Sequence, residues 1–73
     1  MEQFYACAIG KIREHLGLNY NAYGIITFTN KEDADEELKG LLNHSSGLEG
    51  VVVDITPLVQ QKFIPKEKLY IVD

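Results

Sequence analysis

Apolar side chains recur at Phe4, Tyr5, Ala8, Ile9, Ile12 and Leu16, the spacing of one helical face, while Gln3, Lys11, Arg13 and Glu14 fall on the other side. The pattern predicts a first helix over residues 3–16, closed by Gly17 with Leu18 placed to fold back. A rival pattern runs through its first half. Phe4, Ala6 and Ala8 alternate with Tyr5, Cys7 and Ile9 as in a strand that Gly10 would end. The helix is the preferred reading. Tyr23-Gly24-Ile25-Ile26-Thr27-Phe28-Thr29 then reads as a strand from its β-branched and aromatic content.

Asn30 predicts a helix N-cap, with Glu32 and Asp33 in the first turn, where carboxylates meet the positive end of the helix dipole. The helix extends to about Asn43, with Ala34, Leu38, Leu41 and Leu42 on its apolar stripe. His44 to Gly47 reads as a loop, and Val51-Val52-Val53-Asp54-Ile55 as a second strand. These elements predict a right-handed crossover at 23–55 joining two parallel, neighbouring strands. Thr56 as N-cap before Pro57 predicts a short helix over 57–62. Pro65 stops it, and residues 68–73 read as an edge strand.

The sum is one small domain over residues 1–73, α-β-α-β-(short α)-β around a three-stranded sheet. That is an α/β class, with α+β as the other reading. A chain of 73 residues has room for one core and buries only about 60% of the surface its unfolded form exposes. The lone Cys7 can form no disulfide within the chain, and with His15 and His44 it lacks zinc-ligand spacing. Self-association or a partner is the stabiliser left. The acidic N-terminal segment lacks the basic start of a secretory signal, and no apolar run is long enough to span a bilayer, so the expected location is cytoplasmic, with no membrane contact.

The net charge of −4 argues against nucleic acid as a partner, because phosphate contacts require Lys and Arg in excess. Much of the acid sits in Glu32-Asp33-Ala34-Asp35-Glu36-Glu37, whereas Lys62, Lys66 and Lys68 lie near the C-terminus. No catalytic, cofactor or metal constellation emerges. Cys7 has no flanking base, and His44-Ser45 has neither a nucleophile elbow nor a third member. The glycines form no phosphate-cradling loop.

Residues 21–28, Asn-Ala-Tyr-Gly-Ile-Ile-Thr-Phe, followed by a helix and by Leu48-Glu49-Gly50 before a valine-rich strand, resemble the second half of an RNA-recognition motif domain. Tyr23, Gly24, Ile26 and Phe28 fit that family's octamer, and Asn21, Ala22 and Ile25 depart from it. The resemblance implies single-stranded RNA binding by aromatic residues on a sheet face, here Tyr23 with Phe28 or Tyr70. Too few residues precede the strand to supply the first half of that fold, so convergence on a common strand–helix–strand unit is the preferred explanation.

The expectation is therefore a non-enzymatic regulatory or accessory module without cofactor, acting on a protein partner or as a homodimer. Single-stranded nucleic-acid binding is the alternative. If the helix after Asn30 covers the face carrying Ile26 and Phe28, then Tyr23, Ile25 and Thr27 face the other way. The candidate interaction residues are Tyr23, Ile25 and Tyr70, with Asp35 and Glu36 on the acidic helix.

Overall fold

The computed structural model describes residues Glu2 to Val72. Its first element is a strand, β1 (Tyr5–Lys11), and not the helix that the spacing of residues 3–16 predicts. The physical reason lies in its position. β1 runs through the middle of the sheet, so Ala6, Cys7 and Ala8 are all buried, with one face covered by a helix and part of the other by a second. A run apolar at every position from Phe4 to Ile9 contains the helical spacing by accident. Gly10 is the better signal, because a side chain there would stand 2.8 Å from the His15 carbonyl oxygen, where the chain turns back. That turn holds Arg13 at φ 72° and leads into the short strands β2 (Gly17–Leu18) and β3 (Tyr20–Asn21).

β4 (Gly24–Phe28), α1 (Lys31–His44) and β5 (Leu48–Asp54) form the predicted strand–helix–strand unit. Its two strands are not neighbours. β1 lies between them, antiparallel to both, which makes β4 and β5 parallel but separated by one strand. α2 (Thr56–Gln60) and a single 3-10 turn at Lys66–Lys68 lead to β6 (Leu69–Val72), which pairs parallel with β4 and forms an edge. The main order is β5-β1-β4-β6. With β2 and β3 the sheet has six strands, mixed in direction, and not three. Two helices pack with it, an α+β arrangement. The predicted last strand ends at Asp73, which lies outside the described residues.

β2 and β3 fill the wedge where β1 and β4 diverge. The Asn19 amide donates to the Cys7 carbonyl at 2.8 Å, and the Asn19 carbonyl accepts from Ile26 N–H at 3.1 Å, so one residue ties both strands.

Residues opposite each other on neighbouring strands share a face, so the register sorts the sheet into two surfaces. Tyr5, Cys7, Val52, Ile26 and Phe28 belong to the face under α1, where the Cys7 thiol meets the Ala34 carbonyl at 3.5 Å. α1 begins as predicted: the Asn30 side-chain oxygen accepts from Asp33 N–H at 2.9 Å. Phe4, Ala6, Ile25, Val53 and Leu69 belong to the second face and form its core with Ile55, Val59 and Ile64. That face is covered by α2 and the segment after it. Thr56, the expected N-cap, is the first residue of α2, and its hydroxyl accepts from Phe4 N–H at 2.8 Å. A buried hydrogen bond thus ties α2 to the start of β1.

Candidate functional site

The cover on the second face stops part-way along the strands. Beyond it the register sets Val51 of β5 beside Ala8 of β1, and Ala8 beside Leu18 of β2. In the next row Leu16 packs over Gly10, its Cδ2 3.3 Å from the place a β-carbon would occupy. Ala8 is buried and Leu18 half-buried, but Val51 is 50% exposed and Leu16 42%. Tyr20 lies opposite Ile25 on the same surface and is 75% exposed. After α2, Phe63 and Ile64 both donate their amides to the Leu58 carbonyl, with Lys62 at φ 63°. That turn sends Ile64 to the core and leaves Phe63 exposed.

Of the residues singled out from sequence, Tyr23 and Tyr70 come together. Tyr23 lies in the β3–β4 turn and stacks on Tyr70 of β6, ring centroids 5.7 Å apart and planes at 29°. Gly24, at φ 147°, breaks the strand alternation there, so Tyr23 does not share the surface of Ile25. Ile25 is half-buried and packs on the second-face core. Asp35 and Glu36 lie on different flanks of α1. Asp35 is exposed and ion-paired with Lys31 at 3.0 Å. Glu36 joins Asp33 and Glu37 around a shallow recess of about 320 Å³ floored by Phe28 and Val72. Phe28, the second octamer aromatic, is buried on the face under α1 and offers no ring for a base to stack on.

A second recess, about 510 Å³, lies beside α2 between Val59, Ile64 and Pro65, with Lys62, Lys66 and Glu67 at its rim. Lys66 is ion-paired with Glu2 at 2.9 Å and sits 5.8 Å from the Phe4 ring centroid. Charge is thus segregated, acidic beside α1 and mixed beside α2. His44 and Ser45 are exposed at the C-terminal end of α1. Burial, with the negative charges of Glu37 and Asp35 adding to it, pushes the Cys7 thiol up from its ordinary value. Asp54, in contrast, is held below its ordinary value by hydrogen bonding from Thr56, through the hydroxyl and then the amide, the latter at 2.9 Å. Among the described residues no group of three or more His, Cys, Asp or Glu is placed to hold a metal ion, and no helix is long and apolar enough to cross a membrane.

Sequence reasoning missed Leu16, Tyr20, Val51 and Phe63. Only β1 read as a strand puts Ala8 between Val51 and Leu18 and makes the open end of the second face visible. No protein-family model, curated protein or solved structure matches the chain.

Proposed function

We propose that this chain is a non-enzymatic interaction module of the cytoplasm, acting by binding another protein or a second copy of itself. One observation carries the reading, the half-covered second face of the sheet. Among the described residues Phe4, Phe28 and Ile55 are the large apolar side chains that are buried, whereas on the second face Val51 and Tyr20 remain at least half exposed and Leu16 is 42% exposed. Scattered apolar residues are normal on any surface, but a contiguous set on one sheet face is the usual mark of an interface.

A chain this short also gains most from such cover, since its own core is small. The lone thiol is buried and needs no oxidising compartment.

Association is the measurement. Sedimentation velocity over a wide concentration range, together with cross-linking in cell extract, is expected to show complex formation that Val51→Lys, at the open end of this face, weakens at least tenfold. A protein that stays monomeric and acquires no cross-linked partner, or whose association Val51→Lys leaves unchanged, refutes the reading.

A further inference from the structure

Among the described residues the outer side of β5 is a row of backbone groups with no strand beside it, and its charged side chains are Glu49 and Asp54. Among the described residues β5 pairs with β1 alone, along its whole length, and it carries neither Pro nor Lys.

Two bonds beyond the ends of the β1–β5 ladder fix which groups face outward. Ile55 N–H donates to Phe4 O at 2.9 Å, and Ile12 N–H donates to Gly47 O at 3.0 Å. Both pairs continue the register that sets Tyr5 against Asp54 and Lys11 against Leu48. Hydrogen-bonded and non-hydrogen-bonded pairs alternate along an antiparallel ladder. Val53, Val51 and Glu49 therefore bond to β1, and Leu48, Gly50, Val52 and Asp54 direct their amides and carbonyls away from it. The Cys7 carbonyl, which accepts from Asn19 on the opposite side of β1, has the parity this requires.

We propose that β5 is a self-pairing edge: two copies of the chain join antiparallel about a twofold axis at Val51, making one continuous sheet. This rests on the interaction reading above and names the partner as a second copy.

The register follows from the outward groups. With Val51 opposite its counterpart, Gly50 faces Val52 of the second copy, and Leu48 faces Asp54. Every outward residue then enters a hydrogen-bonded pair. A shift of the axis by one residue leaves some of those groups unpaired. Val51, half exposed in the single chain, falls on a non-hydrogen-bonded pair, where opposing side chains come closest. Glu49 faces Val53, so no two like charges stand directly opposite.

Charge also selects this edge over β6. Asp33, Glu36 and Glu37 line the recess with Phe28 and Val72 on the β6 side of α1, and joining two copies there would oppose two acidic flanks. Leu38 reaches Gly50 on the β5 side, and helical spacing puts Lys31, Asp35 and Lys39 on that flank, with both signs present and Lys31 and Asp35 already paired.

Three variants test the proposal in the full chain. Val52→Pro deletes an outward donor and leaves the β1 ladder intact, because Pro is tolerated where the amide faces away from the sheet. Wild-type protein is expected to sediment as a dimer, and Val52→Pro as a monomer with an unchanged circular dichroism spectrum. Val51→Cys is expected to form a symmetric disulfide under mild oxidation, whereas Glu49→Cys is not, its two copies being about 13 Å apart in this register.

A wild-type chain that remains monomeric at millimolar concentration overturns the proposal, even where cross-linking to another protein upholds the broader reading. A dimer that persists in folded Val52→Pro assigns self-association to another surface. Equal disulfide yields from the two cysteine variants overturn the register, and if Val52→Pro fails to fold those yields decide the matter.

Discussion

Replacing Gly24 with alanine should destabilise the protein far more than its position in a surface turn suggests. Gly24 has φ 147°, a region that residues with a β-carbon rarely enter, and holding alanine there costs about 1–3 kcal/mol. The space is also taken. An added β-carbon would overlap the Lys68 carbonyl oxygen and lie 3.1 Å from its carbon, which are backbone atoms and cannot rotate aside. Relieving that overlap means pushing the start of β6 away from β4, at a cost like that of other overpacked sites, about 1–3 kcal/mol.

The sum is about 2–6 kcal/mol, against a total stability of about 4–11 kcal/mol for a chain of this length. Thermal unfolding followed by circular dichroism should show the midpoint falling by at least about 8 °C. Hydrogen exchange should show protection lost first in Leu69 to Val72. Gly40→Ala is the matched control. It lies within α1 with nothing inside 4 Å of its added carbon, and it should gain up to about 1 kcal/mol from helix propensity. Gly24→Ala within about 0.5 kcal/mol of wild type would refute both the close β4–β6 approach and the strained φ.

Thr56→Val keeps the shape of the buried side chain but strands the Phe4 amide, and should cost about 1–3 kcal/mol in urea unfolding; Thr56→Ser should recover most of the loss. The lowered Asp54 value means that its contribution to stability is complete above the ordinary carboxylate range and disappears as pH falls through the folded-state value. Asp54→Asn should therefore flatten the acid side of the stability–pH curve and converge with wild type at low pH; parallel curves would rule this out. Cys7, buried and with its thiol pushed up, should react with iodoacetamide at a rate set by unfolding, so that added urea accelerates labelling in step with the fraction unfolded.

The elements legible from sequence were those whose signals are local. Asn30 caps α1 through its own side chain, the Ala34 stripe meets the sheet, and the strand propensity of residues 24–28 and 51–54 is realised. Residues 3–16 failed because their structure is decided by distant neighbours. Cys7 is buried under α1 on one face and Ala6 in the Phe4–Ile55 cluster on the other, with Ala8 buried in the row beyond it, while Ile12 and Leu16, which completed the apparent helical face, end up exposed in and after a turn. Small apolar residues at successive positions identify a central strand only when both covering layers are known. The geometry around the candidate residues was hidden for the same reason: with no strand between β4 and β5, nothing indicated that Tyr23 would stack on Tyr70 or that Val51 would border an open sheet end.

The position of β1 has a further consequence for how the molecule can associate. Had β4 and β5 been neighbours, as the crossover alone suggested, β5 would have paired parallel with β4, and the antiparallel ladder with β1 that fixes which of its residues face outward would not exist. Because β1 separates them, β5 pairs antiparallel with β1, and its Leu48, Gly50, Val52 and Asp54 form a spaced set of donors and acceptors with a centre of symmetry at Val51. An antiparallel second copy can match that set completely. The same insertion that hid β1 from the helical pattern thus sets which residues that edge presents to a second copy.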